Sequence, residues 1–239
     1  MKTIGLIGGM SWESTQTYYR LLNQKVAEQL GGLHSARLIL YSVDFAEIEA
    51  LQNQGDWEAT AEILGSAARS LQLAGADFLV LCTNTMHKVA AQISDATELP
   101  LLHIADATAE ALLQDGITRV GLLGTRFTME QAFYRERLEA HGIEVIVPDE
   151  SQRNIIHKVI YEELCRGVIN PDSRAAYLDI VSSLADKGAQ AVILGCTEIG
   201  LLINSSDTCS GSMTHVKLYD TTEIHVEQAV KLALKGTSL

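Results

Sequence analysis

Gly75-Ala76-Asp77-Phe78-Leu79-Val80-Leu81-Cys82-Thr83-Asn84-Thr85 and Gly188-Ala189-Gln190-Ala191-Val192-Ile193-Leu194-Gly195-Cys196-Thr197-Glu198 are near copies lying 113 residues apart. Each opens on Gly-Ala, runs through an apolar stretch and closes on small polar residues. That is the pattern of a buried parallel strand whose carboxyl end reaches a functional rim. The ninth position is Thr83 in the first copy and Cys196 in the second, while Cys82 falls opposite Gly195. Two strand tips built this way offer a thiol from one and a hydroxyl from the other.

The repeat extends outward. Ile4-Gly5-Leu6-Ile7-Gly8 corresponds to Val120-Gly121-Leu122-Leu123-Gly124, 116 residues later, and each leads into a helix carrying a tyrosine, Tyr18 or Tyr134. A period of this size is too long for a solenoid unit of roughly 20–50 residues and indicates a duplicated domain. Between the copies, strand and helix patterns alternate. Strands are expected at 3–8, 36–42, 78–82, 99–103, 119–124, 143–147 and 191–194. Helices are expected near 13–30, 57–74, 106–114, 129–141, 153–166, 173–187 and 222–235. This order predicts an α/β fold made of two pseudo-symmetric parallel-sheet α/β domains. The first domain is expected over 1–98, with the segment 215–239 packing back on it, and the second over 99–214. The polar run Asn204–Thr214 is expected to be a loop.

The chain has 239 residues, 47% hydrophobic and 20% charged, enough for a full core and unlike a disordered chain. A formal charge of −12 argues against nucleic acid and anionic membranes as partners, because both need basic surface. No apolar stretch approaches the ~18 residues of a membrane span, and the opening residues carry no signal-peptide pattern. The four cysteines (82, 165, 196, 209) show no CxxC spacing, so a reduced, cytoplasmic protein is expected.

In open α/β sheets, ligands bind beyond the carboxyl ends of the strands. Four tips qualify: Gly8-Gly9-Met10-Ser11, Cys82-Thr83-Asn84-Thr85, Gly124-Thr125-Arg126-Phe127-Thr128 and Gly195-Cys196-Thr197-Glu198. A helix after each tip would present N–H groups and a dipole to a carboxylate or phosphate. Asn84, Thr85, Thr125, Thr128 and Thr197 could add hydrogen bonds; any one alone is better read as a helix cap. Cys196 is the best catalytic candidate, a thiol whose ionised form a helix N-terminus would stabilise. The Gly-x-Gly-x-x-Gly and Gly-Lys-Ser/Thr nucleotide motifs are missing, and no pair of histidines has metal-ligand spacing. His34 and His141 read as surface residues. His87 faces either the site or solvent, and His225 reads as a packing residue.

Gly8-Gly9-Met10-Ser11-Trp12-Glu13-Ser14, the Cys-Thr-Asn-Thr-Met-His run at 82–87, Gly195-Cys196-Thr197-Glu198 and Asp220-Thr221-Thr222-Glu223-Ile224-His225 together resemble the aspartate/glutamate racemase family over essentially the whole chain. The resemblance implies a site in the cleft between the two domains, commonly a homodimer, and no cofactor; no metal is expected from the histidine spacing. It also implies a two-base 1,1-proton transfer at the α-carbon of an amino acid, with a cysteine on each face. Here the chain departs from the family, whose first block reads Cys-Asn-Thr. Aligning on Asn84-Thr85 puts Thr83 in the cysteine position, as the internal repeat does; aligning on the thiol gives Cys82, which on a strand points the other way.

The expected catalytic pair is therefore Thr83 and Cys196, an asymmetric acid–base set. Expected substrate contacts are Met10, Gln52, Asn84, Thr85, Thr125, Thr128, Lys158, Thr197 and Glu198. Gln52 stands in for the side-chain arginine of some aspartate-specific members, with Arg126 or Lys158 as possible charges. Aspartate and glutamate are the expected substrates, with neutral amino acids open. Two alternatives stay open: a single-cysteine, cofactor-independent decarboxylase, and a catalytically silent amino-acid-binding protein.

Overall fold

The computed structural model describes residues 1–205, 207 and 216–235. The chain divides into two compact units, one comprising Met1–Ile104 together with the chain from His225 onward, the other Ala105–Ile224.

The first unit is built on a four-stranded parallel sheet of β1 (Ile4–Gly8), β2 (Leu38–Ser42), β3 (Phe78–Leu81) and β4 (Leu101–Leu102), in the order β2-β1-β3-β4. Its helices are α1 (Trp12–Leu30), α2 (Phe45–Gln54), α3 (Trp57–Leu73) and α4 (Ala90–Asp95), with a 3-10 turn at Thr85–Val89. Period-2 alternation sorts the strand side chains between two apolar layers. Ile4, Leu6, Phe78, Val80 and Cys82 pack with Tyr18, Leu22 and Val26 of α1. Ile7, Leu79 and Leu81 pack on the other face with Ile48, Leu64 and Leu71.

The second unit repeats this plan. α5 (Ile104–Gln114) leads to β5 (Arg119–Gly124), followed by α6 (Arg126–Glu130), α7 (Ala132–Glu139), β6 (Glu144–Ile146), α8 (Glu150–Glu162), α9 (Pro171–Asp186), β7 (Ala191–Gly195), α10 (Ile199–Leu202) and β8 (Lys217–Asp220). Its sheet is parallel with the order β6-β5-β7-β8, the first unit's order strand for strand. Leu123, Val192, Leu194 and Cys196 lie in one layer with Ile156, Tyr177 and Val181. α11 (Thr221–Leu234) closes the chain, and its Val226, Ala229, Val230 and Ala233 join the α1 layer of the first unit.

Several elements differ from the sequence reading. The first unit runs past residue 98 because Leu101 and Leu102 pair with Leu79 and Val80. The segment from 217 stays with the second sheet until α11, because Lys217–Asp220 pair with Ala191–Leu194. α2 and β8 were not expected. The helix expected over 129–141 is broken at Gln131, whose extended backbone (ψ 150°) ends α6 and starts α7. Of the expected loop at 204–214, only Asn204, Ser205 and Asp207 are described, and Cys209 lies outside the described residues. Among the described residues, no helix is long and apolar enough to cross a membrane.

Candidate active site

The tip of β3 runs into Cys82 and Thr83. Cys82 is fully buried in the α1 layer, where its thiol is nearest the Val80 carbonyl (3.9 Å) and burial pushes its pKa far up. The Ser14 hydroxyl donates to the Cys82 carbonyl (3.0 Å), tying this tip to the start of α1. Thr83, beyond the end of β3, is 6% exposed. Its N–H donates to the Leu81 carbonyl (2.9 Å), turning the chain off the strand line. Asn84 and Thr85 follow it, both buried.

Sheet pairing fixes the correspondence between the two tips. In the first unit Gly5 pairs with Leu79 and Ile7 with Leu81; in the second, Gly121 pairs with Val192 and Leu123 with Leu194. The β1–β5 repeat then carries Leu79 onto Val192, Leu81 onto Leu194 and, two residues on, Thr83 onto Cys196. Cys82 falls on Gly195, where a Cβ would meet the Leu123 carbonyl at 2.7 Å. The second tip thus has no room for a side chain where the first carries its buried thiol.

Cys196 is 7% exposed, and its thiol donates to Glu198 Oε2 (3.0 Å). The Thr197 hydroxyl donates to the same oxygen (2.7 Å), and the Cys165 thiol approaches Oε1 (3.8 Å). Burial, then the Glu198 carboxylate and Cys165, push the Cys196 thiol well above its ordinary pKa. This corrects the expectation of a dipole-stabilised thiolate. α10 is a single turn that begins three residues after the thiol, and the charge facing the sulfur is negative. The resting form is a thiol hydrogen-bonded to a carboxylate. Glu198, expected to touch substrate, is engaged by the thiol and by Thr197. Cys165 was passed over because nothing in its helical sequence context points to a carboxylate 33 residues away.

The helix-tip anion sites are also corrected. Only α1 is long, with Ser11 as its cap; the other three tips lead to a 3-10 turn, α6 of five residues and α10 of four. A macrodipole needs many aligned peptides, so short helices supply little of it. Thr125 caps α6 by accepting from the Thr128 N–H (3.3 Å), and the two hydroxyls lie 3.2 Å apart. Met10 packs in the apolar layer with Ile7 and Ile48. Gln52 is buried, and its amide donates to the Met86 sulfur (2.9 Å). Lys158 is exposed on α8 and pairs with Glu162 (3.8 Å), so it does not join the buried tip residues. Arg126 donates to Asn154 (3.0 Å) on the exposed side of α6.

His87 is not on the surface. It is 3% exposed and lies 2.8 Å (Nδ1) from the Thr83 carbonyl. His225 is fully buried between the Tyr18 hydroxyl (2.9 Å to Nδ1) and the Leu102 carbonyl (2.9 Å to Nε2), and burial pulls its pKa down to about 4. His34 and His141 are exposed, as expected.

A duplicated α/β protein with a thiol at one strand tip and a hydroxyl at the matching tip is the class this arrangement defines. The chain belongs to the Asp/Glu/Hydantoin racemase family, whose model matches residues 7–229. It is 58% identical to a candidate Asp/Glu racemase of Yersinia pestis over 98% of this chain and 100% of that one, with a TM-score of 0.89. An aspartate racemase homologue from Pyrococcus horikoshii OT3 is 35% identical over 98% and 99% of the two chains (TM-score 0.83). The broad specificity amino-acid racemase RacX of Bacillus subtilis is 24% identical over 84% of this chain and 87% of its own. Arylmalonate decarboxylase shares the fold at 16% identity, covering 100% and 95% of the two chains (TM-score 0.56).

Proposed function

We propose that the protein is a cofactor-independent amino-acid racemase of aspartate, glutamate or both, with Cys196 and Thr83 as an unequal acid–base pair acting on one α-carbon. The observation that carries this reading is the sheet register. It makes Thr83, and not Cys82, the counterpart of Cys196, and it leaves the Cys82 thiol inside an apolar layer.

Cys196 starts as a thiol hydrogen-bonded to Glu198. Transfer of its proton to the carboxylate leaves a thiolate and a neutral acid, and the thiolate removes the α-proton from one enantiomer. Thr83 passes a proton from water to the opposite face of the carbanion, and the Glu198 proton returns to solvent, so hydroxyl, thiol and carboxylate are all restored. A hydroxyl is far less acidic than a thiol, so the two directions run at different intrinsic rates. Asn84, Thr85 and Thr197 supply hydrogen bonds to the substrate carboxylate and the developing charge.

The test is α-proton exchange in heavy water, screened over L- and D-aspartate, L- and D-glutamate and a set of neutral amino acids. Appearance of the deuterated opposite enantiomer establishes racemisation; thermal stabilisation by an amino acid without exchange would favour a binding protein. The single thiol also suits a decarboxylase that protonates a carbanion, and carbon dioxide release from a disubstituted malonate would select that reading.

A further inference from the structure

We infer that His87 is a positioning residue for Thr83. Its neutral imidazole, protonated on Nδ1, locks the peptide that sets the direction of the Thr83 hydroxyl. This inference rests on the reading of Thr83 as one of the two acid–base groups.

The tautomer follows from the partners. The Ile104 N–H donates to Nε2 (3.2 Å), so that nitrogen presents its lone pair. The proton then sits on Nδ1 and is donated to the Thr83 carbonyl, an acceptor only (2.8 Å). One rigid ring therefore bridges the tip of β3 and the first N–H of α5, a group that no helix can satisfy internally. A protonated ring would turn a second N–H toward Ile104 and lose that bond.

The surroundings hold the ring in place. His103 packs edge-on against it at 4.5 Å between centroids, and His225 at 5.9 Å. His225 is itself fixed by Tyr18 and by the Leu102 carbonyl. Threonine is β-branched, with one χ angle coupled tightly to its backbone. Fixing the Thr83–Asn84 peptide consequently fixes where the hydroxyl points, and misplacement by 1 Å can cost about 100-fold in rate.

The two arms of the ring can be separated by substitution. In His87→Asn the side-chain N–H takes the place of Nδ1–H and keeps the bond to Thr83. In His87→Gln the amide reaches the Nε2 position and keeps the bond to Ile104 only. The readout is the ratio of inverted to retained deuterated product from L- and D-aspartate and L- and D-glutamate in heavy water. His87→Gln should lower that ratio at least about tenfold, whereas His87→Asn should stay within about threefold of the parent. In a Thr83→Ala background the His87 substitutions should have no further effect, since the group they aim is gone.

Equal losses for Asn and Gln, or the same loss with and without Thr83, would overturn the positioning role while leaving racemisation standing. Normal inversion by Thr83→Ala would remove Thr83, and His87 with it, from the chemistry. No exchange by the parent protein with any of the four amino acids would sink the functional reading and this inference together. Thermal unfolding of every variant separates loss of aim from loss of fold.

Discussion

Cys82→Ser replaces a sulfur by an oxygen in the apolar layer between β3 and α1. The thiol is fully buried among Ile4, Tyr18, Val80 and Val226, and the nearest acceptor, the Val80 carbonyl, is 3.9 Å away. The shorter C–O bond leaves the hydroxyl without a hydrogen bond of normal geometry. Burying it there costs roughly 1–3 kcal/mol. For a chain of this size that is a fall in unfolding midpoint of roughly 2–12 °C. Turnover by the folded variant should stay within about threefold of the parent, since the residue touches none of the reacting groups. Cys196→Ser should show the converse: near-parental stability and a loss of turnover on the order of 100-fold or more. Calorimetry and α-deuterium exchange read the two effects independently. A Cys82→Ser protein that stays folded but loses exchange would refute the register argument and return the thiol to the site.

Three further outcomes follow from particular contacts. Glu198→Gln removes the carboxylate that faces Cys196, so the thiol pKa should fall and its alkylation by iodoacetamide near pH 7.5 should speed up, while proton transfer to substrate slows. Asp220, at the start of α11, is raised to about 6 by burial, so the folded state binds its proton more tightly than the unfolded chain. Stability should therefore fall as pH rises from about 4 to 6. Asp220→Asn should abolish that slope and gain roughly 1–2 kcal/mol at pH 7 in denaturant titrations, allowing for partial exposure. Tyr18→Phe strips the donor from the buried His225 Nδ1 and should cost about 1–2 kcal/mol in the same assay.

The strands were legible because β-branched and leucine-rich runs alternate faces, and because the duplication shows each strand twice. That Thr83, and not Cys82, falls at the position matching Cys196 was legible for the same reason: a repeat fixes register. α2 escaped although Asp44 and Glu47 carry a cap-like spacing, because only Ile48 and Gln52 are buried and the apolar stripe is thin. β8 is four residues long and follows a polar run, too little for a periodicity signal. The site's electrostatics were not legible. Glu198 lies two residues from Cys196 in the chain, yet its side chain turns back onto the thiol, which spacing alone does not reveal. The roles of His87 and Cys165 depend on Ile104 and Glu198, partners that only the tertiary fold brings near.

In the proposed mechanism the chemistry is asymmetric although the two sheets share one strand order. That asymmetry is tested most directly by the initial rates of α-deuterium incorporation into L- and D-aspartate, and L- and D-glutamate, by the parent protein and by Thr83→Cys. For the substrate turned over, the parent's two rates should differ by about tenfold or more, and Thr83→Cys should bring them closer together. Equal rates from the two enantiomers in the parent protein, unchanged by Thr83→Cys, would contradict the asymmetry.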